Sequence, residues 1–128
     1  MGFRPRASES PMPWTVEFAS DFEAEFDALP AGEQITILES LVMLRERGPR
    51  LGRPAVDTLK GSAFPNMEEL RVQIAGRPWR IIFAFDPARS ADPLIGGDKG
   101  GGARWYKVNL PVAEARYRRH LDNLKQAP

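Results

Sequence analysis

The segment 69–85 leaves this chain the least choice. Leu70, Val72 and Ile74 alternate with Glu69, Arg71 and Gln73. After Gly76-Arg77, the residues Trp79, Ile81, Phe83 and Phe85 alternate with Arg80, Ile82 and Ala84. A period of two is that of a strand, and two such runs around a glycine predict a β-hairpin. A two-residue loop at Gly76-Arg77, with glycine first, suits a type II′ turn. That register sets Ala75 against Pro78, Ile74 against Trp79, Val72 against Ile81 and Leu70 against Phe83. Every large apolar side chain then shares one face, which a slip of one residue would destroy. On the other face Gln73 stands opposite Arg80 and Arg71 opposite Ile82, so Arg71 and Arg80 are diagonal neighbours with β-carbons roughly 7 Å apart. Two guanidinium groups converging on one point can hold a phosphate. Each can equally pair with a carboxylate such as Glu69 or Asp86, and the hairpin alone leaves both readings open.

The rest of the chain arranges itself around this hairpin. Residues 1–12 have no periodicity and are expected to be a flexible extension, leaving residues 13–126 as a single domain. Trp14, Val16 and Phe18 alternate as a short strand. Ser20 and Glu23 have the spacing of a capping box ahead of a short helix to about Leu29, with Phe22 and Phe26 inward. Pro30 suits the first turn of a second helix, in which Ile35, Leu38, Leu41, Val42 and Arg45 keep helical spacing. Gly48 and Pro49 stop it near Arg47. Residues 48–65 read as an extended loop carrying Arg50, Arg53 and Lys60. Asp86-Pro87 ends the hairpin, and residues 91–97 predict another strand around Leu94 and Ile95. Tyr106, Leu110, Ala113, Tyr117, Leu121 and Leu124 form one stripe of a terminal helix that Pro111 either starts or kinks. His120 sits beside that stripe as a packing or capping residue.

Composition removes several classes of function. The 128 residues contain no cysteine and one histidine, which excludes a thiolate metal site and argues against a His-rich one. The longest apolar run, Ile81–Phe85, is too short to span a bilayer. No apolar segment follows Arg4 and Arg6, so no secretory signal is read, and a reducing cytoplasm is the expected setting. Charge is unevenly spread. Residues 1–44 hold two basic and eight acidic side chains, a net −6, and the remainder holds 16 basic and nine acidic, a net +7. A basic back part suits a polyanion; a chance split explains the same numbers. The run Gly96-Gly97-Asp98-Lys99-Gly100-Gly101-Gly102 is not a nucleoside-triphosphate loop, because Gly100 stands where Lys99 would need a following Ser or Thr.

Order and spacing of several short segments then carry a family resemblance. They are Leu59-Lys60-Gly61-Ser62, Met67-Glu68-Glu69-Leu70-Arg71, Trp79 to Pro87, Gly96-Gly97-Asp98-Lys99, Trp105-Tyr106, Leu110-Pro111-Val112-Ala113, and Tyr117 with His120-Leu121. Together they resemble the phage-derived HigB-like branch of the RelE/ParE toxin superfamily, over residues 13–124. The resemblance implies an α+β fold: a small antiparallel-dominated sheet with an N-terminal helical hairpin on one face and a C-terminal helix. It further implies helices on one side of that sheet and a basic cleft on the other.

The resemblance also implies a type II toxin that cuts mRNA on the ribosome and inhibits translation, without metal or cofactor. In such chemistry the RNA's own 2′-hydroxyl attacks the neighbouring phosphate. A base must take the hydroxyl proton, cations must stabilise the phosphorane, and an acid must protonate the leaving oxygen. The expected site is Arg71 and Arg80 on the phosphate, Lys60 and Lys99 for positioning and proton transfer, and Tyr106 as a stacking or proton-donating group. Asp98 and His120 are further candidates. The implied partners are a helix-turn-helix antitoxin and ribosome-bound mRNA, with no membrane. Two other readings stand beside this one: a ParE-like toxin that binds gyrase, and an inactive phage-derived binding module.

Overall fold

The computed structural model describes residues 13–126; the predicted extension at 1–12 lies outside the described residues. The elements are β1 (Thr15–Val16), α1 (Ser20–Asp27), α2 (Ala31–Arg47), β2 (Val56–Thr58), β3 (Met67–Ile74), β4 (Arg77–Phe85), β5 (Ser90–Asp98) and α3 (Ala103–Gln126). They build one five-stranded sheet in the order β1-β5-β4-β3-β2, antiparallel except for the parallel β1–β5 pair. The α+β expectation holds. No helix among the described residues is long and apolar enough to cross a membrane.

The hairpin forms with its faces as expected and its register shifted by two residues. Arg71 stands opposite Arg80, Leu70 opposite Ile81, Val72 opposite Trp79, Gln73 opposite Pro78 and Ile74 opposite Arg77. The loop is therefore Ala75-Gly76, not Gly76-Arg77. Both loop residues have positive φ, 52° and 76°, as a type I′ turn requires, so the turn follows the strand twist at the expense of a left-handed alanine. A shift of two preserves every side chain's face, which is why the pattern could not distinguish the two registers.

Leu70, Val72, Ile74, Ile81 and Phe83 meet Phe22, Phe26, Ile37, Leu41 and Leu44 of α1 and α2 on the first face. The second face is not left open. Ala113 and Tyr117 of α3 pack there on Met67, Ile82, Ala84, Leu94 and Ile95. This corrects the expectation of helices on one side only: Ile82 and Ala84, the hairpin's "outer" residues, are apolar and fully buried beneath α3. A bulge helps. Ile82 pairs with Ile95 but Phe83 pairs with Pro93, so Leu94 is the extra residue. Below the bulge the alternation of β5 is inverted, which turns Asp92 toward α3.

Four local readings need correction. Ser20 makes no cap: Ala19 is held to β5 through its N–H on the Pro93 carbonyl, at 3.0 Å, and helical geometry begins at Ser20 itself, one residue too early for Ser20 to cap it. The 48–65 loop contains a 3₁₀ turn and strand β2, which pairs with β3. Of the two readings of Pro111, the helix start is excluded: it lies inside α3, which begins at Ala103. In α2 the buried residues are Ile37, Leu41 and Leu44, while Ile35, Leu38 and Val42 of the predicted stripe are exposed.

The charge split has an internal use. Arg116 of α3 holds Glu25 in a two-pronged contact at 2.8 and 2.6 Å, and Arg119 holds Asp21 at 3.0 Å. Basic α3 and acidic α1 are thus tied across the sheet edge, so part of the back-half charge is already matched.

Candidate active site

One row across the second face sets the site. Arg71 on β3, Arg80 on β4 and Gly97 on β5 are register partners in line. The next row carries Glu69, Ile82 and Ile95, and Asp57 of β2 is opposite Glu69. Gly97 is a close-approach position: a β-carbon there would stand 3.0 Å from Nε1 of Trp105, so a side chain would press the Trp105 ring away from the strand. That close approach brings the neighbouring Tyr106 over β3.

Glu69 is the centre of the arrangement. It is 5% exposed and meets three side chains. The Tyr106 hydroxyl donates to its Oε1. Arg71 reaches its Oε2 with Nη2 at 3.3 Å and Nε at 3.4 Å. Arg80 places Nε 3.8 Å from Oε1. Arg71 also pairs with Asp57 at 3.0 Å. The Asp57 carboxyl is lowered from its ordinary value, first by its hydrogen bond with Arg53, which outweighs the opposing desolvation, with smaller help from the Thr58 N–H and the charges of Arg53 and Arg71. Burial, then the hydrogen bond to Glu69, push the Tyr106 phenol up to about 12. Tyr106 therefore remains protonated across the physiological range and can give a hydrogen bond or a proton.

Of the two readings of Arg71 and Arg80 left open by the hairpin, carboxylate pairing is seen in this state, through Glu69 and Asp57. Donor capacity remains. Arg80 Nη1 donates to the Trp79 carbonyl at 2.9 Å, and its buried Nε has no hydrogen-bond partner. Beside the row a cavity of about 350 Å³ is lined by Pro54, Ala55, Arg71, Gln73 and Arg80 among others. A phosphate entering there would meet the guanidinium groups of Arg71 and Arg80, which Glu69 in turn contacts together with the Tyr106 phenol.

The other predicted residues lie elsewhere. Lys60 is exposed after β2 with no hydrogen bond or ion pair among the described residues. Lys99 turns toward the start of α3, its Nζ 3.7 Å from where a Gly102 β-carbon would be. Neither lysine contacts the Glu69 cluster. Asp98 pairs with Arg77 and accepts the Gly100 N–H at 2.8 Å, a turn-holding role. His120 sits at the opposite end of the second face between Asp86 and Asp92, at 2.7 and 3.0 Å. Arg80 and Asp86 are six residues apart, about 20 Å along a strand, so His120 is remote from the arginine row. Burial, and then Asp86 beside it, push the Asp92 carboxyl up to about 9.

Sequence reasoning missed Glu69 as a functional residue, naming it only as a pairing carboxylate. Its alternation with Arg71 was the available signal, since both must share a face. Asp57 carried no signal, because β2 was hidden in an apparent loop.

With this geometry in hand, the likenesses to other proteins are informative. The sequence pattern of the family described as "Phage derived protein Gp49-like" matches residues 24–118. A Mycobacterium tuberculosis protein with the provisional name toxin HigB3 is 47% identical over 95 residues, 73% of this chain and 82% of that protein. A second from the same organism, provisionally toxin HigB2, is 44% identical over 110 residues, 84% of this chain and 54% of that longer protein. Among solved structures, a double-arginine variant of the E. coli toxin RelE in its free state aligns with a TM-score of 0.54 at 14% identity. That alignment covers 75% of this chain and 93% of RelE, and it shows a shared fold.

Proposed function

The chain belongs to the phage-derived Gp49-like protein family, and from that premise we propose that it is the toxin of a type II toxin–antitoxin pair, acting as an mRNA endoribonuclease. The HigB names of its relatives support the toxin reading. The observation that carries the nuclease reading is the convergence of Arg71, Arg80, Glu69 and Tyr106 on one sheet row.

The roles follow from the chemistry of each group. Arg71 and Arg80 bind the scissile phosphate and stabilise the charge that grows on it during attack. Glu69 exchanges an arginine contact for the RNA and accepts the 2′-hydroxyl proton. Tyr106, protonated, releases its hydrogen bond to Glu69 and donates toward the leaving 5′-oxygen. Lys60 and Lys99 are assigned to holding the RNA backbone outside this centre. Catalysis needs no metal in this scheme. The substrate is mRNA in the ribosomal A site, so the setting is the cytoplasm. The partner is a helix-turn-helix antitoxin whose acidic segment covers the arginine row between periods of activity.

The test is induced expression of the wild type and the Arg71→Ala/Arg80→Ala double variant, with growth and mRNA integrity followed together. Growth arrest with mRNA cut inside reading frames, lost in a folded double variant, is the expected result. Arrest with intact mRNA and accumulating DNA breaks would replace the nuclease by a gyrase-directed toxin. Folded wild type without effect on growth would leave a binding module.

A further inference from the structure

The end of the second face remote from Arg80 holds another group of carboxylates, which the proposed chemistry does not use. Asp86 closes the β4–β5 turn, its Oδ1 accepting the N–H groups of Ala88 at 2.8 Å and Ser90 at 3.0 Å. Asp92 on β5 is fully buried. Glu17 follows β1, and His120 arrives from α3. Nε2 of His120 is 2.7 Å from Asp86 Oδ2 and 3.0 Å from Asp92 Oδ2. A ring nitrogen carries at most one hydrogen. When it is given to Asp86, Asp92 is left with no hydrogen bond at either carboxylate oxygen. A buried carboxyl in that condition either keeps a proton, which it can share with Asp86, or takes a cation.

We propose that Glu17, Asp92 and His120, with Asp86 beside them, form a binding site for one first-row divalent cation of the Zn²⁺ or Mn²⁺ type. One ligand atom from each of Glu17, Asp92 and His120 lies within 4.8 Å of the others. Two donors on one ion bonded at about 2.1 Å stand roughly 3.0–3.4 Å apart, and the 3.0 Å between Nε2 and Asp92 Oδ2 falls in that range. One imidazole among carboxylates favours zinc or manganese over the all-oxygen preference of calcium and magnesium. Glu17 and His120, two of the three ligands, line a surface cavity of about 160 Å³ through which an ion can reach them. Arg116 and Arg119 line it too, but they are held by Glu25 and Asp21 and do not neutralise Asp92. The ligands come from positions far apart in the chain, so an ion here cross-links β1, β5 and α3.

The test uses the full chain, stripped with EDTA, and reads thermal unfolding and native mass with ZnCl₂, MnCl₂ or MgCl₂ added. Zinc or manganese is expected to raise Tm by roughly 5–10 °C at a hundredfold excess over Kd, with one ion retained per chain. Glu17→Gln, an exposed position that leaves the core untouched, is expected to weaken binding at least tenfold, and Asp92→Asn to abolish it. If Asp92→Asn does not fold, Glu17→Gln decides. No shift and no retained ion in the wild type would overturn the proposal. So would an equal shift in wild type and Glu17→Gln, and a response to magnesium alone would overturn the class of ion.

Discussion

Glu69 and Asp92 are both carboxylates buried on the α3 side of the sheet, and their surroundings are opposite. Glu69 has donors in excess: a phenol from α3 and two guanidinium groups from the hairpin. Asp92 shares a single imidazole nitrogen with Asp86 and has no hydrogen bond of its own. Where donors surround the acid, the chain builds a charged, hydrogen-bonded row. Where they are lacking, the acid must be neutralised by a proton or a cation. Burial alone therefore says little about what a carboxylate does; the count of donors around it separates the two ends of one sheet face.

Phe83 is fully buried on the opposite, hydrocarbon face, and Phe83→Ala should lower unfolding free energy by about 3–5 kcal/mol in denaturant titrations. A loss under about 1 kcal/mol would mean the two faces are wrongly assigned. Next come the two acids themselves. Glu69→Gln should lower stability by about 1.5–3 kcal/mol, as charge-assisted hydrogen bonds are lost and two arginines are left short of countercharge. Asp92→Asn, measured by thermal unfolding in EDTA, should leave Tm unchanged or raise it. Changes of the same sign in both variants would break the contrast. The smallest effect belongs to the hairpin that positions the row. Asparagine tolerates left-handed backbone better than alanine, and Asn-Gly is favoured in type I′ turns. Ala75→Asn should therefore add about 0.5–1 kcal/mol. No gain would argue for the alternative loop at Gly76-Arg77 and for a diagonal rather than direct Arg71–Arg80 pair.

Much of this fold was legible because it rests on period. The alternation through Leu70 and Phe83 placed two strands and their inner face, and the Tyr106–Leu124 stripe placed α3. Register was not legible, since a shift by two leaves all faces intact and only the turn's backbone decides. Nor was β2, three residues long among glycines and prolines. The α2 stripe misled because helical spacing alone does not say which side meets the sheet. In the site, Arg71, Arg80 and Tyr106 come together around Glu69, with the two arginines directly opposite rather than diagonal. Lys60 and Lys99 do not join them: no periodic constraint orients a lysine in a turn. Asp92 was invisible for a different reason, because the bulge at Leu94 inverts the alternation that would have predicted its side.

In the proposed reaction the arginine row directs a 2′-hydroxyl attack on RNA. Its most direct test is single-turnover mRNA cleavage on purified translating ribosomes, with the new RNA ends identified. The wild type should leave a 2′,3′-cyclic phosphate and fail on a substrate carrying a 2′-deoxy sugar at the scissile nucleotide. Arg80→Ala should be slower by about 10²–10³-fold. Intact mRNA with the wild type, cleavage of the 2′-deoxy substrate, or an unchanged rate in Arg80→Ala would contradict it.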